Sequence, residues 1–197
     1  MSPQPENSQL AHVVPGAEYS TEERKTLLRI ARQAIESALE GSTLSLSVPC
    51  QHLAEPRGVF TTIYVREALR GCVGYPLAIA PLYRAVADTA RSAAFEDTRF
   101  WPLTIQEFPE LGISLSVLSP LSPIIATEIE VGRHGLLVEL HGRRGLLLPQ
   151  VPVEHGWDCT TFLEQTCRKA GLALDAWQHG AKLSAFTAEI FGDRDLC

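Results

Sequence analysis

The 197-residue sequence lacks most features that identify a membrane, secreted or nucleic-acid-binding protein. No apolar run approaches the roughly 18 residues that a membrane-spanning helix requires, and residues 1–12 lack the charged and then apolar regions of a secretory signal. Its 17 basic and 23 acidic residues give a formal net charge of −6, which opposes binding to phosphate backbones. We therefore expect a cytoplasmic protein that binds neither membranes nor nucleic acid.

Cysteine is also sparse, and the spacing of the cysteines does not suggest disulfide bonds. The five cysteines are widely spaced and include no CxxC pair: Cys50, Cys72, Cys159, Cys167 and Cys197. An odd, scattered set argues against a disulfide framework and against a zinc site made only of sulfur ligands. Cys50 and His52 are a lone pair of donors, whereas a metal site requires three or four convergent ligands. The sequence thus predicts no metal or other cofactor, although an ion at Cys50 and His52 stays possible.

Apolar periodicity predicts helices and hairpins. Ser20 and Glu23 form a capping box before an amphipathic helix that runs to about Glu40. Residues 58–65 and 69–75 are rich in β-formers and predict a first hairpin, and the alternation over residues 111–117 predicts another strand.

Later segments continue this alternation of helices and strands. We predict a helix from Pro81, a second hairpin around His141 and Gly142, a helix capped by Thr160 or Thr161, and one final strand, residues 182–191. About three longer helices and five or six strands indicate an α+β domain around a largely antiparallel sheet. Residues 1–17 predict a flexible tail.

The most distinctive segment is LRGCVG, residues 69–74, in which a cysteine lies between two glycines. Glycine leaves little side-chain cover, so the backbone and the thiol can approach another group closely. Three further segments follow in order: AAFEDTRFWPL (93–103), GRRGLLLPQVPVEHGW (142–157) and GAKLSAFTAEIF (180–191). Over residues 19–192 this set resembles the AMMECR domain family.

The resemblance implies an AMMECR-type α+β fold over residues 18–193. Two unequal lobes, each with a mainly antiparallel sheet flanked by helices, would enclose a cleft lined by the LRGCVG side chains, and the larger lobe would contain both chain ends. Val73, Tyr75 and Thr98 depart from the residues usual in the family, which puts substrate preference in doubt more than the fold. The family also implies a functional link to Memo-like and radical S-adenosylmethionine proteins.

Cys72 is the candidate catalytic residue. A nearby cation favours the reactive thiolate, and Arg70 lies two positions away. Nucleophilic catalysis by cysteine usually requires a histidine base, for which His155, beside Glu154, is best placed by its motif. The alternatives stay open, since Cys72 could simply pack between the lobes and His155 could be an exposed loop residue.

The candidate ligand-binding residues surround this motif. Asp97 and Arg99 either face the cleft or form an internal salt bridge at the exit of a helix. Gln150, in a loop between two prolines, either presents its amide to a ligand or satisfies buried backbone groups. The full predicted set is Leu69, Arg70, Gly71, Val73, Gly74, Asp97, Arg99, Gln150, Glu154 and His155.

Two classes of function are compatible with these residues. The first is a binding module whose cleft holds a peptide, a protein segment or a bulky small molecule, with Arg70 and Gln150 as polar anchors. In that case Arg70→Ala should weaken binding and leave the melting temperature nearly unchanged. The second is an enzyme component in which Cys72 acts as nucleophile, redox group or ligand.

Overall fold

Two antiparallel sheets flanked by helices make up residues 17–196, the part of the chain that the structure, a computed structural model, describes. The helices are α1 Thr21–Glu40, α2 Leu82–Phe95, α3 Gln150–His155 and α4 Cys159–Lys169. The strands are β1 Val59–Val65, β2 Ala68–Tyr75, β3 Leu111–Leu118, β4 Ser122–Pro123, β5 Gly135–Leu140, β6 Arg143–Leu147, β7 Lys182–Phe186 and β8 Ala188–Gly192. The predicted tail, apart from Ala17, lies outside the described residues.

The first sheet has the strand order β2-β1-β3-β8 and packs against α1 and α2. The predicted capping box opens α1, because Ser20 Oγ accepts the Glu23 N–H and the Glu23 carboxylate accepts the Ser20 N–H. Gly41, with a φ of 68°, ends this helix. Apolar side chains from both helices and from β1 and β3 form the larger core of the molecule.

The second sheet has the order β4-β7-β5-β6 and carries α4 on one face. Leu136 and Ala185 from the strands pack with Phe162 and Leu163 of α4 in a smaller core. The predicted second hairpin is β5 and β6, joined at His141 and Gly142. Thus β6 is an edge strand of its sheet, as β2 is of the first.

The prediction of one final strand over residues 182–191 is wrong. The chain changes sheets at Thr187, so that β7 belongs to the second sheet and β8 to the first. At this crossing Thr187 accepts the Ser119 N–H and donates its own N–H to Ser119 Oγ, both at 2.9 Å. A period-two pattern continues through the crossing, and the sequence therefore gives no sign of it.

Two further local predictions need correction. Residues 150–155 form α3 and not a loop, because Pro152 lies in the first turn, where a backbone N–H has no helical partner to lose. The N-cap of α4 is Asp158, whose side chain accepts the Thr161 N–H at 2.7 Å, and not Thr160 or Thr161. No helix of residues 17–196 has the length and apolar character needed to cross a membrane.

Candidate functional site

The LRGCVG segment forms most of β2 and lies tightly against α2. A Cβ placed at Gly71 would overlap the carbonyl group of Ala93 and lie 2.9 Å from the carbon of that carbonyl. At Gly74 a Cβ would overlap the Phe60 ring and lie 2.7 Å from the Phe60 Cα. Real Cβ atoms do not approach this closely, so both glycines are required by the packing of β2 against its neighbours.

A β-bulge separates Arg70 from the regular part of the strand. Ile63 of β1 lies opposite Gly71, and Tyr64 lies opposite Leu69, so Arg70 has no counterpart on β1. In a regular strand Arg70 could lie on the same face as Cys72, two positions away. The bulge interrupts the regular strand between them, and the Arg70 side chain binds other groups.

Arg70 binds the segment that follows α2. Its guanidinium donates to both carboxylate oxygens of Glu107, at 2.8 and 3.2 Å, and to the backbone carbonyls of Trp101 and Pro102. This hydrogen bonding holds the pKa of Glu107 down to about 2. With 16% of the Arg70 side chain exposed, a ligand anchored here would have to share or displace these four partners.

Asp97 and Arg99 cap the open edge of β2 at Cys72. Asp97 Oδ2 accepts the Cys72 N–H at 2.8 Å, and Arg99 Nη2 donates to the Cys72 carbonyl at 3.2 Å. The two side chains also form a bidentate pair at 2.7 and 2.9 Å. The Asp97 side chain is 6% exposed, and its hydrogen bonds to Arg99 hold its pKa far below the ordinary range. This ion pair takes the place of a neighbouring strand.

The Cys72 thiol lies on the face of β2 opposite α2. Thr62, its partner on β1, donates its hydroxyl to Cys72 Sγ at 3.3 Å. The pKa of Arg99 is raised, chiefly by Asp97 and also by the neighbouring Cys72 side chain. The arginine that contacts Cys72 is therefore Arg99, through the Cys72 carbonyl. Within residues 17–196 the polar side chains bonded to Cys72 come from Thr62, Asp97 and Arg99, and none of them is a histidine.

The remaining predicted ligand-binding residues lie on α3. The His155 ring stacks on Trp157 with a centroid distance of 4.6 Å, and Glu154 is exposed. Gln150 Oε1 is buried and has no hydrogen-bond partner within residues 17–196. Within the described chain, none of these side chains hydrogen-bonds to Cys72, so the structure does not join the two halves of the predicted site into one cluster.

Cys50 and His52 lie near the start of α1. His52 Nδ1 is 2.9 Å from Glu23 Oε1, and Cys50 Sγ is 3.8 Å from the same oxygen. The hydrogen bond to Glu23 raises the pKa of His52. In residues 17–196 no group of three or more His, Cys, Asp or Glu side chains converges to hold a metal ion.

A cavity of about 430 Å³ opens between the two sheets. Phe60, Pro76 and Leu77 form the wall on the side of the first sheet. The opposite wall is built from β6 and the residue after it, one residue of β5, the start of α3 and the end of α4: Leu137, Arg144, Gly145, Leu146, Leu147, Leu148, Val151 and Lys169. No LRGCVG residue lines the cavity, but Gly74 packs directly against the Phe60 ring that does.

Comparison with known proteins places this chain in a family. The AMMECR1 family model matches residues 28–191. The chain belongs to the AMMECR1 family. It is 42% identical over 192 residues to Protein MK0488 of Methanopyrus kandleri, covering 91% of this chain and 93% of that protein.

A protein of Thermococcus gammatolerans is 46% identical to this chain over 180 residues, with 84% and 87% of the two chains covered. Among solved structures, the uncharacterized protein PH0010 from Pyrococcus horikoshii matches with a TM-score of 0.74 and 43% identity. That match covers 84% of this chain and 89% of the other. The AMMECR resemblance and the α+β fold with two antiparallel sheets are thereby confirmed.

Sequence reasoning missed the residues that line the cavity of this AMMECR1 protein. Phe60, Leu77 and Lys169 come from three separate segments and belong to no shared motif. One signal was available in the run Leu146–Leu148, since three consecutive apolar residues in an edge strand place leucine on both faces. The side chains on one face of β6 pack into the core of the second sheet, and those on the other face must be covered by another group.

Proposed function

We propose that this AMMECR1 protein is a binding module that holds a bulky apolar molecule in the cavity between its two sheets. The observation that carries the proposal is the cavity wall, which is dominated by aliphatic side chains and one aromatic ring. Its volume of about 430 Å³ lies within the range typical of small-molecule sites. Burial of an apolar ligand against these side chains would supply the binding free energy.

A neutral fluorescent probe, N-phenyl-1-naphthylamine, tests this proposal. Leu77→Arg should introduce a charge into the cavity and weaken probe binding by about tenfold or more, because an unpaired charge is costly to bury. Ile79→Arg is the matched control, since Ile79 is exposed, lies two residues away and does not line the cavity. Equal probe binding by the two variants would contradict the proposal.

A second candidate function is thiol chemistry at Cys72, within a modification pathway that includes Memo-like and radical S-adenosylmethionine proteins. The observation that favours it is the pair of groups bonded to Cys72. The Thr62 hydroxyl donates to Cys72 Sγ at 3.3 Å, and the Arg99 guanidinium donates to the carbonyl of the same residue at 3.2 Å. A donor and a cation are the groups that stabilise a thiolate.

Alkylation by iodoacetamide at pH 7, followed by mass spectrometry of each cysteine, tests this second function. Cys72 should react faster than Cys50, even though Cys50 is exposed and Cys72 is half-buried. Arg99→Gln should slow the reaction of Cys72 and leave that of Cys50 unchanged. If Cys72 instead reacts more slowly than Cys50 in the wild-type protein, the enzyme hypothesis based on this thiol is wrong.

A further inference from the structure

The cavity between the sheets has two chemically different ends. Its lining follows the chain from Arg144 on β6 to Leu148 just after that strand, a distance of about 13 Å for four steps of extended backbone. Arg144 and Lys169 mark one end, and Leu148 and Val151 mark the other. Leu146 and Leu147 lie between them. The cavity therefore changes from cationic to apolar along its length.

Both cations line the cavity, and the strand and helix that carry them are in contact, because β6 is pressed against the last turn of α4. A Cβ at Gly145 would lie 2.6 Å from the Thr166 carbonyl oxygen, so only glycine permits this approach. Lys169 is the last residue of α4, and Arg144 precedes Gly145 on β6. The packing that requires Gly145 thus brings the end of α4, with Lys169, to the part of β6 that carries Arg144, and both residues line the cavity.

The charges at this end are only partly neutralised. Arg144 Nε donates to Glu139 Oε2 at 2.7 Å, and Lys182 also acts electrostatically on Glu139. Lys169 is exposed and forms no ion pair with any residue in the described part of the chain. Glu139 therefore faces two cations, and Lys169 is left without an ion pair among residues 17–196, in a protein whose formal net charge is −6.

We infer that the ligand of this cavity is an amphipathic anion, with an aliphatic or aromatic body against the leucines and a single carboxylate group beside Lys169 and Arg144. This inference rests on the proposed function, because it assumes that the cavity is a binding site. The apolar wall provides affinity for the body of the ligand, and the two cations fix its direction by charge-assisted hydrogen bonds to the carboxylate.

Decanoate and decanamide form a matched pair for the test, because they share an apolar chain and differ in the charge of the head group. Each is titrated against the wild-type protein by calorimetry and by displacement of N-phenyl-1-naphthylamine. Decanoate should bind about fivefold to tenfold more tightly than decanamide, since hydrogen bonds to an ionised group are stronger than neutral ones. Added salt should reduce this preference.

Variants then locate the groups that recognise the charge. Lys169→Gln should remove most of the preference for decanoate, and Lys169→Gln with Arg144→Gln should remove all of it, while decanamide binding stays nearly constant. Lys182→Gln is the matched control, because it removes the same charge near Glu139 without changing the cavity lining. The preference should survive that change.

The outcomes separate this inference from the proposed function. If decanoate and decanamide bind equally and Leu77→Arg weakens both, the cavity is a binding site but the inferred anion selectivity is wrong. A preference for decanoate that persists in the Lys169 and Arg144 double variant would also overturn the inference, because the charge would then be recognised elsewhere. If neither compound nor the probe binds, both proposals fail.

Discussion

Two of the edge strands, β2 and β6, are built alike but lie in opposite surroundings. In each sheet the second strand of a hairpin lies at the edge and presses a glycine against a helix, Gly71 against α2 and Gly145 against α4. The outward backbone groups of β2 at Cys72 are occupied by Asp97 and Arg99. The leucines of β6 line a cavity.

This difference separates the LRGCVG segment from the cavity. Around β2 the polar side chains are occupied by other groups of the protein. Arg70 binds Glu107, Asp97 binds Arg99 and the Cys72 N–H, and these bonds hold the segment after α2 in place. Around β6 the side chains present an apolar wall, one exposed lysine and space for a ligand. The contacts of the LRGCVG segment are accordingly those of an architectural element, and the cavity is the site that we propose for binding.

The largest expected effect comes from Gly71→Ala, which tests whether β2 is architectural. The added methyl group would overlap the Ala93 carbonyl, so we expect the free energy of unfolding to fall by about 3 kcal/mol in urea denaturation. Gly112→Ala is the control, because its nearest atom would be 3.9 Å away. If the two variants are equally stable, β2 tolerates more movement than this packing implies.

For Arg70→Ala we expect a somewhat smaller effect, a fall of about 2 kcal/mol in the free energy of unfolding, because Glu107 and two backbone carbonyls lose their donor. This is the reverse of the result expected if Arg70 serves only as a ligand anchor. Arg70→Lys should recover part of the stability, since lysine cannot reproduce the bidentate geometry. Thermal denaturation compares both variants with Arg91→Ala, a change at an exposed position of α2. If Arg70→Ala is as stable as this control, Arg70 does not stabilise the fold and is again a candidate ligand anchor.

The ion pair of Arg70 and Glu107 also predicts a pH dependence. Folding lowers the pKa of Glu107 from 4.5 to about 2. Its contribution is therefore fully present above the unfolded pKa and is lost as the pH falls through about 2. The difference in unfolding free energy between the wild-type protein and Glu107→Gln should shrink between pH 6 and pH 2. A difference that stays constant over this range would show that the pair does not stabilise the fold.

Local patterns were sufficient to predict most of the fold. The capping box at Ser20 and the turn at His141 and Gly142 act through neighbouring residues, and both features lie where the sequence predicts them. The crossing at Thr187 could not be predicted, because alternation is the same whichever sheet a strand joins. The helical conformation of residues 150–155 was hidden by two prolines, which are compatible with a first helical turn as well as with a loop.

The candidate site was harder to predict because its contacts are distant in sequence. Arg99 lies beside Cys72 only because the segment after α2 folds back on β2, and the bulge at Arg70 has no sequence signature of its own. The cavity joins Phe60, Leu77 and Lys169 across more than half of the chain. Such an assembly requires the arrangement of the two sheets, which no local pattern specifies.

Phe60→Leu should cause the smallest change in stability, and it is the sharpest test of the comparison between β2 and the cavity beside β6. The Phe60 ring packs against Gly74 of LRGCVG and also lines the cavity, so this side chain touches both the motif and the cavity. We expect a loss of about 1 kcal/mol in urea denaturation, because a smaller side chain leaves part of the contact unfilled. Binding of N-phenyl-1-naphthylamine should change severalfold, since the shape of one wall changes. If stability falls and binding does not, the motif and the cavity are independent; if both change, Gly74 acts on ligand binding by holding this ring in position.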